Sequence, residues 1–385
     1  MRCQPIGLYV HIPFCRSKCP YCDFCSLPRP SRELMEAYTR ELSRRIRQAG
    51  EEYGRSDSRP IPLDTVYFGG GTPSLLPGHC MRELLEAIRE AFFLLPDAEI
   101  TAEANPATLS PETAAVWAQC GINRVSLGAQ SAQEAELKAL GRLHRWSDVE
   151  ETVARLRDVG IHNINLDFML GIPHQTSESL ADTLTRALAL HPTHLSAYTL
   201  MLEEGTPFHR RGRAALGLPA DEDAADEEAI CLWEQACAHL REAGFEHYEI
   251  SNFAREGFRS RHNLHTWQCH DYLGLGVAAH SCMDGVRFGQ SRDMEGFLAG
   301  EDITEFTETL TLQDRMAEYI MLGLRLSDGI DESEFLSRFG EDFWHIYGGA
   351  CIPFIEKGMM VRREGRVSLT EAGFPISNAI LAELI

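Results

Sequence analysis

Four cysteines fall within eleven residues, Cys15, Cys19, Cys22 and Cys25, in the run CRSKCPYCDFC. The first three stand four and three residues apart, close enough for one tight loop to wrap a cubic iron–sulfur cluster, for which thiolate is the standard ligand. If only three of four irons receive a cysteine, the fourth is open to a chelating small molecule, and the amino and carboxylate groups of a methionine suit it. An electron passed from such a cluster can cleave a sulfonium and release a 5′-deoxyadenosyl radical. Two other readings stand beside this one. Four cysteines would serve a zinc ion, although zinc sites usually pair two short Cys motifs across a longer spacer. A ferredoxin-like cluster would take Cys25 as its fourth ligand.

The context of the thiols favours the first reading. They follow a β-rich segment, LYVHIPFC, and the next such segment ends in FGGGTPS. A glycine run at a strand end lets backbone N–H and C=O groups approach a small charged ligand closely.

The elements that must hold these residues are legible as a repeat. Short β-rich runs at 8–14, 64–71, 98–105, 124–130, 164–173 and 194–201 are each followed by a helical stretch, and six such units argue for a parallel sheet. Helical patterns at 32–48, 81–93 and 177–190 carry apolar residues at three- and four-residue spacing and would cover the outside of a curved sheet. The Gly run, Glu103, Gln130 and Asp167 all sit at or near the C-terminal ends of the strands, where barrel-type α/β folds place their chemistry. Segments 52–62 and 205–228 read as polar loops or lids rather than core, the second leading into a helix. From about residue 310 the pattern changes to helices and a hairpin over 360–370 with its turn at Glu364 and Gly365, a small winged-helix-like module. Winged modules often bind DNA, but a wing on so acidic a chain is expected to pack on the barrel or meet a protein.

Size and charge bound the rest. The 385 residues, 44% of them hydrophobic, are enough for one large domain and a smaller one. A formal charge of −21 repels nucleic-acid phosphates and anionic headgroups, so no nucleic-acid partner is expected. No run of about 18 apolar residues spans a bilayer, and the first residues lack the basic start and long apolar core of a signal peptide. The expectation is a cytoplasmic protein that is not integral to a membrane. In a reducing cytosol twelve cysteines read as metal ligands before they read as a disulfide scaffold.

Taken together, YVHIPFCRSKCPYCDF, VYFGGGTPS (66–74), EANP (103–106), GINRVSLGAQS (121–131), LGRLH (140–144), DFMLGIPHQT (167–176) and YEISNFA (248–254) resemble the radical-SAM coproporphyrinogen oxidase family. The likeness is nearest to its HemW-type heme-chaperone branch and runs in order from about residue 6 to 290, more weakly to the C-terminus. It implies an incomplete (β/α)6 TIM-like barrel with the small C-terminal domain, divided as 1–230 core barrel, 231–305 family-specific extension and 306–385 C-terminal domain. It implies a [4Fe-4S] cluster on Cys15, Cys19 and Cys22, with S-adenosylmethionine (SAM) on the open iron. Tyr9 and Tyr21 would lie against SAM, and Gly70, Gly71 and Thr72 would line its methionine end. Glu103 would anchor it through the amino group or a ribose hydroxyl, and His280 would stand near the adenosine. Gln130, Arg142, Asp167 and Met201 match positions that contact a second SAM in the oxidase branch; here they either do so, touch the first, or shape the cavity. Without the resemblance, Glu103 reads as a strand-end structural carboxylate, Arg142 as a surface cation, Asp167 as a barrel-mouth salt bridge, and His280 as a core histidine.

Two features separate the branches. The oxidase branch has a longer N-terminal arm and a fourth cysteine two residues after the third, where this chain has Phe24. Cys25 stands one residue further on and reads as a bystander, a redox-sensitive thiol or an auxiliary ligand. The segment SRHNLHTWQCHDYLGLG (260–276) resembles the chaperone branch's HNxxYW signature at His262, Asn263 and Trp267, with Thr266 in place of the tyrosine. His262 is then the candidate heme-iron ligand, with His265, Cys269 and His270 as competitors, and a loop-stabilising hydrogen-bond pair with Asn263 as the plainer reading. The resemblance implies a heme chaperone that passes heme to acceptor hemoproteins, those of the respiratory chain among them. Its rival is the oxygen-independent oxidative decarboxylation of coproporphyrinogen III; a purely electron-transferring protein would need neither the Gly run nor the SAM-pocket residues.

Overall fold

The computed structural model describes residues 4–54 and 60–385, so part of the polar loop expected over 52–62 lies outside the described residues. Six parallel strands form its centre: β1 (Ile6–Ile12), β2 (Pro62–Gly70), β3 (Phe93–Ala104), β4 (Arg124–Gln130), β5 (Asn163–Leu170) and β6 (His194–Thr199). They pair in sequence order. All six coincide with the β-rich runs of the sequence. Between them, α1 (Arg32–Glu52), α2 (Gly78–Ala91), α3 (Pro111–Gln119), α4 (Trp146–Asp158) and α5 (Ser177–Ala189) provide the crossovers that parallel strands require. The outward residues of the strands are the apolar ones: Leu8, Val10, Val66, Phe68, Val125, Leu127, Leu166 and Phe168 are buried in one core with the inward stripes of these helices.

The sheet is an incomplete barrel. Among the described residues β1 does not pair with β6; the sheet instead continues at both edges. Beyond β6 run β7 (Glu246–Glu249) and β8 (Asn252–Ala254), with β8 antiparallel to β6. Beyond β1 lie β9 (Tyr272–Leu275), which is parallel to β1, then β10 (His280–Met283), β11 (Val286–Gln290) and β12 (Thr304–Thr309) in antiparallel succession. Twelve strands thus form one sheet.

Inward residues of the six central strands are strongly polar. They place Tyr9, Tyr67, Glu103, Arg124, Ser126, Asn165, Asp167, His194 and Ser196 inside the curve, where a packed TIM barrel would have Val, Ile and Leu. Such a lumen is stable only because its groups bond one another: His194 joins Asn165 (2.7 Å) to the Tyr248 hydroxyl (2.8 Å), and Asn165 donates to Ser126 and Asp167. The short helix Arg261–Trp267 contacts β1 and β2 at the N-terminal ends of the strands, where it lies under the lumen.

One detail departs from the sequence reading. The stretch 205–228 is not simply a polar loop: it holds the helical turn Pro207–Arg211 and the start of the helix Glu222–Glu242, which runs unbroken through residue 230. Phe208 is fully buried against Leu140, Ile172 and Leu200, and its N–H donates to Pro20 of the cysteine loop (3.0 Å), so apolar burial ties this stretch down. The hairpin Met360–Arg363/Arg366–Leu369 turns at Glu364 (φ 52°) and Gly365 (φ 74°), as expected for a type I′ turn. It joins Ile330–Asp331 in a three-stranded sheet whose separate core includes Tyr319, Phe335, Phe343 and Ile380.

Candidate functional site

The C-terminal ends of β2 to β6 and the loop after β1 converge on one cavity of about 420 Å³, which a flat sheet would not allow. Its wall carries Cys15, Cys19, Cys22 and Tyr21 from the loop, Gly70, Gly71 and Thr72 after β2, Glu103 from β3, Gln130 and Arg142 from β4 and the turn beyond, and Asp167 from β5. Gly71 has room for no side chain: a Cβ there would stand 2.7 Å from the Phe14 carbonyl oxygen, so the glycine lets the strand end pack on the cysteine loop. Thr72 Oγ1 lies 3.5 Å from Cys15 Sγ. Among the described residues no three His, Cys, Asp or Glu side chains converge on one point as around a single ion. The three thiols line one wall of the cavity.

Glu103 is the central charge. Tyr67 Oη donates to its Oε1 (2.8 Å) and the Gly70 N–H to its Oε2 (3.1 Å). Burial nevertheless outweighs these bonds, and with Asp167 nearby it lifts the carboxyl to about 7. Asp167 is also raised, chiefly by burial, against donors from Ser126 (2.8 Å) and Asn165 (2.7 Å). Two carboxyls reluctant to ionise face a cavity suited to a ligand that brings positive charge, such as a sulfonium with an ammonium group. Arg142 is half-buried; it donates to the Gly128 carbonyl (2.9 Å) and reaches Cys19 Sγ at 3.8 Å. Its Nε and the Gln130 Oε1 are buried without a protein partner. Orphaned polar atoms on the wall fit a polar guest.

A second cavity of about 510 Å³ shares Phe24, Gly70 and Glu103 with the first. Tyr9, His280, Arg292 and Cys25 line it. Tyr9 Oη bonds His11 Nδ1 (3.0 Å), while His280 is an exposed ring set edge-on to Phe306 rather than a core histidine. The expected SAM residues therefore divide: Tyr9 and His280 face one cavity, Tyr21, Gln130, Arg142 and Asp167 the other, with Gly70 and Glu103 between them. Cys25 lines the second cavity and not the wall of the three thiols.

Two expected residues are elsewhere. Met201 is 69% exposed and borders a separate groove with Arg211 and Arg213. Leu200 turns inward after β6, and the next side chain points out. His262 is not an accessible ligand: it is 8% exposed beneath the lumen, its Nδ1 2.9 Å from Thr65 Oγ1 and its ring stacked on Tyr67. Burial lowers its pKa to about 3, so it is neutral. It makes no pair with Asn263; Glu99 and Ser260 hold this helix start instead. Of the segment's imidazoles, His265 is buried on Asp64 (2.8 Å), and His270 is half-buried at its edge.

Sequence reasoning missed Tyr67 and Tyr198, which both line the thiol cavity. Strand alternation was the available signal, since Tyr67 and Gly69 share a face of β2, as Ser196 and Tyr198 do of β6.

Comparison with known proteins agrees with this geometry. Residues 9–187 match the Radical SAM superfamily model, and residues 310–376 match the HemN C-terminal domain. The fold superposes on the coproporphyrinogen III oxidase HemN from Escherichia coli with a TM-score of 0.83, covering 99% of this chain and 90% of that one at 21% identity. The heme chaperone HemW of Lactococcus lactis is 33% identical over 99% of this chain and 98% of its own length. HemW of Escherichia coli is 34% identical over 88% of each chain. With its cysteine loop, its strand-end cavity and near full-length likeness to these relatives, the chain belongs to the HemW heme-chaperone family of radical SAM proteins.

Proposed function

We propose that this protein is a heme chaperone that binds heme on the underside of its barrel and passes it to acceptor hemoproteins, with a [4Fe-4S] cluster and SAM held at the opposite end. The observation that carries the cofactor half is the convergence of three thiols, the Gly70–Thr72 turn and Glu103 on one cavity. The heme half rests on family membership.

Cys15, Cys19 and Cys22 would hold the cluster, which when bound supplies one-electron chemistry and an open iron. Glu103 accepts hydrogen bonds from the amino or ribose groups of SAM, and Gly70 and Thr72 bring backbone groups to the methionine end. Tyr9 and His280 border the space for the adenosine. Gln130, Arg142 and Asp167 shape the adjoining cavity. On the underside, His270 is the segment's ligand for iron: it is half-buried, and burial with neighbouring His265 and Arg338 lowers its pKa to about 4, so its nitrogen is unprotonated at neutral pH.

Anaerobically reconstituted protein, offered heme and then an apo-hemoprotein, is expected to bind the heme and yield the holo-acceptor; His270→Ala should bind heme weakly. Steady SAM- and reductant-dependent conversion of coproporphyrinogen III to protoporphyrinogen IX would replace this reading with the oxidase one.

A further inference from the structure

The HN segment has a second role that its burial brings out. We infer that the helix Arg261–Trp267 is the floor on which the SAM-binding carboxylate is set, with His262 a positioning residue that acts on Glu103 through Tyr67. This rests on the reading of Glu103 as the SAM anchor.

The chain of contacts is continuous. The His262 ring lies under Tyr67 with centroids 5.0 Å apart and planes at 23°. Tyr9 flanks the same ring at 6.2 Å and 25°. Above, Gly69 leaves no spare room: a Cβ there would stand 2.8 Å from the Tyr67 ring and 3.1 Å from Glu103. Held on these sides, the Tyr67 hydroxyl has one direction to point, and it donates to Glu103 Oε1 at 2.8 Å. Removing the imidazole would open space below a large, half-buried ring, and the ring would drop away from the carboxylate.

The helix itself is fixed at both ends. The Glu99 carboxylate accepts from the N–H groups of Arg261 and His262 (each 3.2 Å), an anionic cap on the helix start. At the other end Arg325 of the C-terminal module stacks over Trp267 (4.5 Å) and pairs with buried Glu249 (2.7 Å), while Arg338 donates to the Gln268 carbonyl (2.8 Å). A plug clamped this way is a rigid support, and it links the C-terminal module mechanically to the cofactor end.

The readout that mere structural support would not move is the pH dependence of SAM binding. The groups facing Glu103 are Tyr67 and the Gly70 amide from β2, Tyr9 from β1, Asp167 from β5 and Tyr198 from β6. The Tyr67 bond favours the carboxylate, so losing it moves Glu103 ionisation to higher pH.

The test titrates SAM into the reconstituted, reduced full chain across pH, following the cluster's electron paramagnetic resonance (EPR) spectrum. His262→Ala should weaken SAM binding roughly tenfold near neutral pH, the scale of one hydrogen bond to a charged group, and shift the midpoint of the pH profile upward. Tyr67→Phe should do the same, the double variant should be no worse than either, and His262→Phe, which keeps the stacked ring, should restore the wild-type profile. Wild-type affinity and midpoint in His262→Ala, or additive losses in the double variant, would overturn the inference. Should His262→Ala fail to fold, the near-isosteric Tyr67→Phe and His262→Phe carry the test: an unmoved midpoint in the first, or a displaced one in the second, overturns it. Failure of the wild-type protein to respond to SAM would instead sink the reading of Glu103 beneath it.

Discussion

Replacing Glu103 with glutamine should stabilise the cofactor-free protein at alkaline pH while removing its hold on SAM. Glu103 is half-buried in the cavity wall, and its carboxyl titrates at about 7 in the fold against an ordinary 4.5. Because the folded-state value is raised, the protonated acid is well accommodated: its contribution is fully present below about pH 4.5 and is lost as pH rises through 7. A rise from 4.5 to about 7, at roughly 1.36 kcal/mol per pH unit, makes that loss on the order of 3 kcal/mol. Glutamine mimics the protonated acid and can still accept from Tyr67, but an NH₂ facing the Gly70 N–H forfeits one bond, at about 1 kcal/mol. The net gain for Glu103→Gln near pH 8 is thus about 2 kcal/mol. Urea unfolding of the cofactor-free proteins at about pH 6 and pH 8 measures it: the wild-type midpoint should fall with pH more than the variant's, the two curves separating at the higher pH. Equal pH dependence in both proteins, or a variant less stable near pH 8, would refute the claim that this carboxylate is held ionised at a cost.

Other outcomes follow from the same geometry. Serine at Cys15, Cys19 or Cys22 should abolish the brown absorption of a reconstituted [4Fe-4S] cluster, whereas Cys25→Ser should keep it, because Cys25 faces the other cavity. Arg142→Gln removes a positive charge and a donor 3.8 Å from Cys19 Sγ; redox titration should find the cluster harder to reduce by about 59 mV or more, a tenfold change for one electron. Arg325→Met should destabilise the chain by about 2 kcal/mol in denaturant unfolding, less than the 3–5 kcal/mol of a fully buried pair, because Glu249 is fully buried while its partner stays partly in water.

The parts of this fold read correctly from sequence are those written in local pattern. The six β-rich runs, the cysteine loop after the first and the Glu364–Gly365 turn each carry their signal within about ten residues, so periodicity and turn chemistry sufficed. Non-local pairing was not legible in that way. Nothing in YLGL announces that Tyr272–Leu275 adds in parallel to the open edge of β1, because the information lies in which edge is left unpaired. The placement of His262 was hidden for a related reason. Its burial depends on Thr65, Tyr67 and Glu99, more than 160 residues away in the chain, and an imidazole beside aromatic residues looks alike on a surface and under a barrel. Met201 and His280 were placed by resemblance alone; a single inward turn at Leu200 separates Met201 from the cavity, while His280 does border the second one.

The most direct test of the site is the EPR spectrum of the reduced cluster in reconstituted wild-type and Cys25→Ser proteins, with and without saturating SAM. Three thiolate ligands and one open iron predict that SAM changes the spectrum of both proteins alike, and that Glu103→Ala blunts the change. A spectrum indifferent to SAM, or a cluster lost with Cys25 alone, would contradict the three-thiol cavity as a SAM site.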